Sequence, residues 1–305
     1  MQENAQAMVL ASFLADSLAL GAHWIYDTKE IEQRFGRVDR LLQPLPGSYH
    51  KSRNKGEFTH YGDQTLVLLE TLATGNGFSL AGFAERWRQL FTSNYTGYVD
   101  KATATTLENL SRGEELWQAG SHSSDLGGAA RIAPLIYRYR DDQAHMREAV
   151  RMQTMMTHNN PAVLAGADFL ARTVWQIFQG STPVAAMETA LDEGVEDLDL
   201  DLRIRGGLDS AGKETKTVIG KFGQMCAIAA ALPGAIHLIA TFEQDLRAAL
   251  IENVMAGGDS AARGMVVGMV LGASLGMNTL PQDWLHELCQ RENITKLLAS
   301  LDGKQ

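Results

Sequence analysis

Cysteine is scarce in this 305-residue chain: two residues, Cys226 and Cys289, far apart and in no Cys-x-x-Cys pair. That excludes a disulfide-stapled scaffold and a multi-cysteine zinc module, and it suits a reduced, cytoplasmic setting. Proline is scarce too, with 7 residues, so no proline-rich linker divides the chain. Basic charge is thin: 27 Lys and Arg stand against 36 Asp and Glu, a formal net charge of −9. With no dense basic run, neither nucleic acid nor an anionic membrane is an expected partner. Long apolar runs are also missing. Residues 225–241 are broken by Pro233-Gly234 and carry His237, and residues 265–277 fall short of the ~20 needed to span a bilayer. The apolar residues 7–14 follow no Lys or Arg and precede Asp16, so no secretory signal is expected. His-Glu-x-x-His, Gly-x-Ser-x-Gly and dinucleotide fingerprints are absent; after Gly75 and Gly77 the third glycine position holds Leu80.

Glycine, by contrast, is plentiful: 29 residues, above a usual share of ~7%. This is unexpected, because interior glycine costs a helix about 1 kcal/mol and most of the chain has helical spacing. Met8, Leu10, Phe13, Leu14, Ser17, Leu18 and Gly21 lie on one helical period, with Ala7, Ala11 and Ala15 on a small face. Residues 36–60 read as loop. Helical pattern resumes over 63–74, and Ser79 is the next N-cap. Residues 99–119 and 142–157 are helical in period, and Asn160-Pro161 and Thr182-Pro183 are start signals. Further helices are predicted over 213–231, 243–256, 259–275 and 281–300. The expectation is an all-α fold in one domain over residues 1–305.

One stretch disagrees. Leu198, Leu200, Leu202 and Ile204 alternate with Asp199, Asp201 and Arg203, a strand-like period of two. The following Gly207 to Glu214 resembles a phosphate-binding loop, but Glu214 stands where a Ser or Thr hydroxyl would hold Mg²⁺. A flexible connection ahead of a helix is the reading there.

Three junctions place glycine and aspartate just before a helix: Tyr61-Gly62-Asp63-Gln64-Thr65, residues 125–134 around Gly127-Gly128, and Gly257-Gly258-Asp259-Ser260. Free N–H groups at a helix start favour an anion such as a diphosphate. Asp63 and Asp259 are either caps or oxygen ligands for Mg²⁺. Gly264, Gly268, Gly272 and Gly276 recur every four residues. This is a small-residue stripe that admits another helix closely, and the helix carrying it is predicted to be central and buried behind Asp259. Trp87, Trp117 and Trp175 read as packing residues, and Cys226 as an inert thiol in an apolar helix.

Five segments in order resemble the ADP-ribosylglycohydrolase superfamily. Asp16-Ser17-Leu18-Ala19-Leu20-Gly21-Ala22 is similar to its first Gly-Asp-Ala-x-Gly helix, and Gly62-Asp63-Gln64-Thr65 to its Thr-Asp-Asp-Thr metal motif. Gly127-Gly128-Ala129-Ala130-Arg131 is similar to its glycine-rich nucleotide loop, Thr157-His158-Asn159 to its Thr-His segment, and Gly257-Gly258-Asp259-Ser260-Ala261-Ala262 to its Gly-Gly-Asp-Thr-Asp-Thr motif. Details such as Gly21-Ala22-His23-Trp24 resemble the J1-crystallin and selenoprotein J branch.

The resemblance implies an orthogonal multi-helix bundle that holds ADP-ribose in a cleft, on a small molecule or a modified protein, and hydrolyses the glycosidic bond at the distal ribose. It implies Asp63 and Asp259 as catalytic residues, and Asp63, Asp259 and Ser260 as metal ligands. Asp63 would serve as ligand or general base, and Asp259 would hold the ribose diol. Asp16, Gly127, Gly128, Arg131, His158, Asn159, Gly257 and Gly258 are implied around the substrate, with His23 and Trp24 as candidate cleft walls. Typical members hold two Mg²⁺, but Gln64 and Ala261 replace two family carboxylates here, which leaves one Mg²⁺ or none. Arg263 either places a cation near the vacated position, pairs with an aspartate, or faces solvent. The alternative to a hydrolase is a non-catalytic ADP-ribose binder or a structural, crystallin-like member.

Overall fold

A computed structural model describes residues 2–303, all helix and connecting segments. Among the described residues there is no β-strand, and pairing of extended backbone is confined to two isolated bridges, Ser121 with His158 and Asp125 with Ala227. No described helix is long and apolar enough to cross a membrane.

Two helices form the centre. Gln2–Ala19 and Ser260–Leu275 pack along their lengths, and nearly every residue of the second is buried. The glycine stripe makes this possible. A Cβ at Gly268 would lie 2.4 Å from the carbonyl oxygen of Ala11, and one at Gly272 would lie 2.8 Å from that of Ala7. With no Cβ on one side and alanines on the other, the backbones meet almost directly. Gly276 closes the helix in the left-handed region (φ 76).

Around this pair, His60–Thr74 packs against Leu80–Thr92, Gln143–Thr157 lies between Leu80–Thr92 and Pro161–Phe178, and Pro183–Asp192 and Ile228–Thr241 pack against Pro161–Phe178. The predicted starts are present: Ser79, Asn160 and Thr182 cap the helices that follow them. Other expectations need correction. Residues 99–119 give the shorter helix Lys101–Ser111, and Trp117 beyond it is 54% exposed rather than packed. Residues 281–300 form two helices, Gln282–Glu287 and Arg291–Asp302.

Residues 213–231 also divide, into Thr215–Phe222 and the start of Ile228–Thr241. Gly223 (φ 107) ends the first, so Cys226 lies in a connection and not in a helix. Pro233 sits inside Ile228–Thr241 and cannot donate to the carbonyl four residues back. That carbonyl, Ala229 O, accepts from Arg203 Nη1 at 3.2 Å instead.

The alternating segment is a helix, Leu198–Leu208. Leu200 and Ile204 are buried, whereas Leu198 and Leu202 are exposed. Asp199 with Arg203 and Asp201 with Arg205 form i,i+4 pairs at 2.6 and 2.9 Å. Charge pairing and burial both obey the helical period, and Asp197 caps the start.

Candidate active site

The site grows from the start of the central helix. Gly257 and Gly258 both occupy left-handed backbone, at φ 72 and 71, and a Cβ at Gly258 would lie 2.2 Å from the carbonyl oxygen of Gln224. Only glycine fits this turn. Their N–H groups, expected to be free for an anion, are already bonded: Gly257 donates to Val254 O at 3.0 Å and Gly258 to Ile25 O at 2.8 Å. The turn delivers Asp259 as N-cap of Ser260–Leu275. Arg263 neither fills a vacated metal place nor faces solvent. It is fully buried and braces the turn, donating to Asn253 Oδ1 (2.7 Å), Asn253 O (2.8 Å) and Gly257 O (2.8 Å).

Asp259 is buried under three side-chain donors. Tyr61 Oη donates at 2.9 Å, His23 Nε2 at 3.1 Å and Trp24 Nε1 at 3.2 Å. Burial pushes its carboxyl up, but the hydrogen bonds from His23, Tyr61 and Trp24 outweigh that and hold it below the usual range. His23 in turn meets His50 Nε2 through Nδ1 at 2.8 Å. Burial keeps both imidazoles neutral, lowering His23 and taking His50 down to about 2. The network therefore assigns a proton to Nε2 of each ring. Trp24 reaches Asp259 from left-handed backbone (φ 67), a strained conformation for a bulky residue. Its N–H bonds Gly258 O at 3.0 Å, and its ring stacks on His23 at 4.3 Å.

Tyr61 opens the helix His60–Thr74, whose N-cap Thr59 is fixed from below by Asp16. Asp16 accepts from Thr59 N at 2.8 Å and Thr59 Oγ1 at 2.5 Å. It is fully buried, and burial, exceeding the effect of those bonds, raises its pKa to about 7. Asp16 thus anchors the site rather than facing a cleft. It also explains Gly62, where a Cβ would lie 2.5 Å from Asp16 Oδ2.

Asp125 completes the centre. Tyr61 Oη lies 3.1 Å from Asp125 Oδ2 as well as against Asp259, so one hydroxyl sits between two carboxyl groups. Leu126 N to Cys226 O (2.9 Å) and Ile228 N to Ser124 O (2.7 Å) bring Cys226 alongside. Burial and then the charge of Asp259 push Asp125 up to about 7, and burial followed by both aspartates raises the Cys226 thiol. Gly127 donates to Asp125 Oδ1 at 2.6 Å. Tyr61 and His158 fill the space where side chains would stand on Gly127 and Gly128, 2.3 and 2.7 Å from a Cβ.

The other sequence candidates are placed differently. Asp63 is held by an ion pair to Arg53 and a 2.6 Å hydrogen bond from Tyr95. Burial, outweighing Arg53, lifts it to about 6. Arg131 is buried in the wall, donating to Gln153 (2.6 Å), Gln64 (2.6 Å) and Thr157. Gln64, also bonded by Trp87 Nε1 at 2.8 Å, therefore belongs to this wall and not to a ligand set. His158 is buried, its Nδ1 2.9 Å from Thr157 Oγ1 and its Nε2 without a partner. Burial and then Arg131 lower its pKa to about 3. Asn159 is half-buried beside it. Ser260 Oγ is fully buried and has no partner.

Spacing did not mark Asp125, Cys226, His50, His60 or Asp100. His60 lies 3.2 Å from Asp100 and stacks on Tyr61 at 3.9 Å. The one available signal was Asp125 beside the Gly127-Gly128 pair. Among the described residues, one group of carboxylate, thiol or imidazole atoms has metal-binding proximity: Asp125, Cys226 and Asp259, all within 4.8 Å of one another. Asp63 is outside it. A pair of Mg²⁺ ions does not fit, because Gln64 and Asp63 are committed to other partners and Ala261 and Ala262 are buried apolar groups.

The comparisons agree with this architecture. The family model described as ADP-ribosylglycohydrolase matches residues 1–305. Crystallin J1A of Tripedalia cystophora is 23% identical, over 98% of this chain and 96% of its own. ADP-ribosylhydrolase ARH3 of Homo sapiens is 23% identical, over 90% of this chain and 86% of its own. A solved structure titled ADP-ribosylglycohydrolase-related protein complex superposes with a TM-score of 0.82 at 21% identity, covering 99% of this chain and 98% of that one. The all-α bundle is thus the fold of a known class of proteins. The chain belongs to the ADP-ribosylglycohydrolase family.

Proposed function

We propose that this chain, as one cytoplasmic domain over residues 1–305, hydrolyses the glycosidic bond at the distal ribose of an ADP-ribosyl group on a small molecule or protein. The observation that carries the reading is Asp259, held as a carboxylate by three donors at the start of the central helix, with Asp125 across the Tyr61 hydroxyl. Glycosidic cleavage passes through an oxocarbenium-like state, and preorganised carboxylates stabilise its positive charge. Asp259 either faces that charge or holds the ribose diol, and Trp24 and Tyr98, 4.8 Å apart, wall the approach. His158 and Asn159 line the substrate side. Asp63 would act as general base only after releasing Arg53 and Tyr95. In this reading any Mg²⁺ is a single ion on Asp259.

The test is a panel of ADP-ribosylated amino acids, proteins and metabolites, with release of ADP-ribose followed with and without Mg²⁺. Wild type is expected to turn over one of them, and Asp259→Asn to lose roughly 10²-fold or more in kcat. No turnover by wild type on any member would refute the hydrolase. The engagement of Asp63 favours a second reading, a non-catalytic ADP-ribose binder, which calorimetry would show as tight binding without turnover. Neither binding nor turnover would leave a structural, crystallin-like role.

A further inference from the structure

We propose that Asp125 is the acid of the reaction: its carboxyl donates a hydrogen bond to the Tyr61 hydroxyl in the resting site and gives that proton to the leaving group when the glycosidic bond breaks. This role rests on the hydrolase reading and adds to it a residue that motif spacing did not mark.

The hydrogen bonds assign the proton. Tyr61 Oη lies 2.9 Å from Asp259 Oδ2 and 3.1 Å from Asp125 Oδ2, and a phenol has one proton to give. Asp259 takes it. Its Oδ1 accepts from His23 Nε2 at 3.1 Å and Ala262 N at 3.3 Å, and its Oδ2 from Tyr61 and from Trp24 Nε1 at 3.2 Å. Four donors on one carboxyl group call for the ionised, acceptor-only form. If Asp125 were ionised as well, its Oδ2 would face the lone pairs of Tyr61 Oη with no hydrogen between them. A proton on Asp125 Oδ2 removes that conflict by donating to Oη. Asp125 Oδ1 already accepts from Gly127 N at 2.6 Å, so the two oxygens divide into a carbonyl end and a hydroxyl end.

The surroundings agree. Asp125 is faced by His60 and Tyr61 from the start of His60–Thr74, by Asp100 from the cap of Lys101–Ser111, by Cys226 from its connection and by Asp259 from the cap of the central helix. The cations within reach are committed. His60 lies 3.2 Å from Asp100 Oδ2, and Arg131 donates to Gln153, Gln64 and Thr157. Burial and the charge of Asp259 therefore raise Asp125 without a paired cation to oppose them. Two carboxyl groups whose surroundings push them apart, one ionised and one protonated, suit the two tasks of glycosidic cleavage. Exposure divides the tasks in the same way: Asp259 and Tyr61 are buried, whereas Asp125 is half-buried and open to an approaching substrate.

In the step itself, the Asp125 proton passes to the leaving oxygen or nitrogen. The bond from ribose C1 to that atom breaks, and its electron pair stays on the leaving group. Asp125, now a carboxylate, faces the oxocarbenium charge that has formed. Water adds to C1, and its proton restores the Asp125 carboxyl, so the net change is hydrolysis.

Infrared spectroscopy of the full chain tests the proton with no substrate present. At pH 6, about one unit below the raised value of Asp125, an ordinary aspartate is ionised. The wild-type spectrum minus that of Asp125→Asn should show the carbonyl stretch of one protonated carboxyl. The variant should melt at the wild-type temperature, because the amide still accepts from Gly127 and donates to Tyr61. A difference spectrum holding carboxylate bands alone would overturn the proposal. Turnover tests the role. On an ADP-ribosylated substrate that wild type hydrolyses, Asp125→Asn should lower kcat by roughly 10²–10⁴-fold and leave KM little changed. On an ADP-ribosyl nitrophenol, whose leaving group departs without a proton, the loss should stay below about tenfold. Equal losses on both substrates, or none on either, would overturn the acid and leave the hydrolase reading standing. Wild type inactive on every substrate would refute the hydrolase reading, and the acid with it.

Discussion

The contact between the two central helices makes a sharp prediction about glycine. In Gly268→Ala the new Cβ would lie 2.4 Å from Ala11 O and 2.8 Å from Ala11 C, where ordinary contact begins at 3.4 Å. Both atoms are backbone, so no side chain can swing aside, and the helices must part by about 1 Å. Overpacking of this kind costs roughly 1–3 kcal/mol, while alanine's better helix propensity returns about 1 kcal/mol. The expected net is a loss of up to about 2 kcal/mol, with a fall in Tm of about 2 °C per kcal/mol for a chain of this size. Gly268→Leu should be far worse and prevent normal folding. The control is Gly220→Ala, inside Thr215–Phe222, where nothing lies within 4 Å of an added Cβ. There only the propensity gain operates, and stability should rise by up to about 1 kcal/mol. Thermal and urea denaturation of the two variants compare the same chemical change in opposite surroundings. A Gly268→Ala protein that gains as much stability as Gly220→Ala would refute the close-approach account of the stripe.

Other outcomes follow from single residues. Asp16 has a pKa raised to about 7 in the folded chain, against 3.8 ordinarily. The native state therefore holds a proton that the unfolded chain releases, so stability falls as pH rises from about 3.8 to about 7 and is level above that. Asp16→Asn removes this slope. Denaturation midpoints should show the variant gaining on wild type by a few kcal/mol between pH 4 and pH 8, roughly, and a parallel pH profile would contradict the buried placement. On Leu198–Leu208, Leu200→Ala should cost about 2–5 kcal/mol and Leu202→Ala less than about 0.5 kcal/mol. Similar losses at both positions in urea titrations would restore the two-residue period.

The segment 198–204 shows where pattern reading stops. Alternating leucines fit a strand as well as they fit a helix that buries Leu200 and Ile204 and exposes Leu198 and Leu202. The neighbouring helix Ile228–Thr241, with its Ala229 carbonyl waiting for Arg203, resolves the ambiguity. Caps were more legible, because Ser79, Asn160-Pro161 and Thr182-Pro183 act on their own next few residues. Asp259 was legible from its Gly-Gly turn. Asp125 and Cys226 were not, since their proximity depends on two backbone hydrogen bonds between distant loops.

The sequence by itself determined the helical class, most helix starts, the family motifs and the glycine stripe on which the central helix packs. These are local or periodic features, and a short window of side chains is enough to encode them. Only the tertiary structure decided what the glycines and charges do. Gly127, Gly128, Gly257 and Gly258 admit Tyr61, His158, Ile25 and Gln224, and the N–H groups of Gly127, Gly257 and Gly258 are already bonded within the protein. Asp63 is claimed by Arg53 and Tyr95, and Asp259 by His23, Trp24 and Tyr61. The physical reason is that a carboxylate's role is set by which donors and charges reach it, and those arrive from segments that only folding brings together.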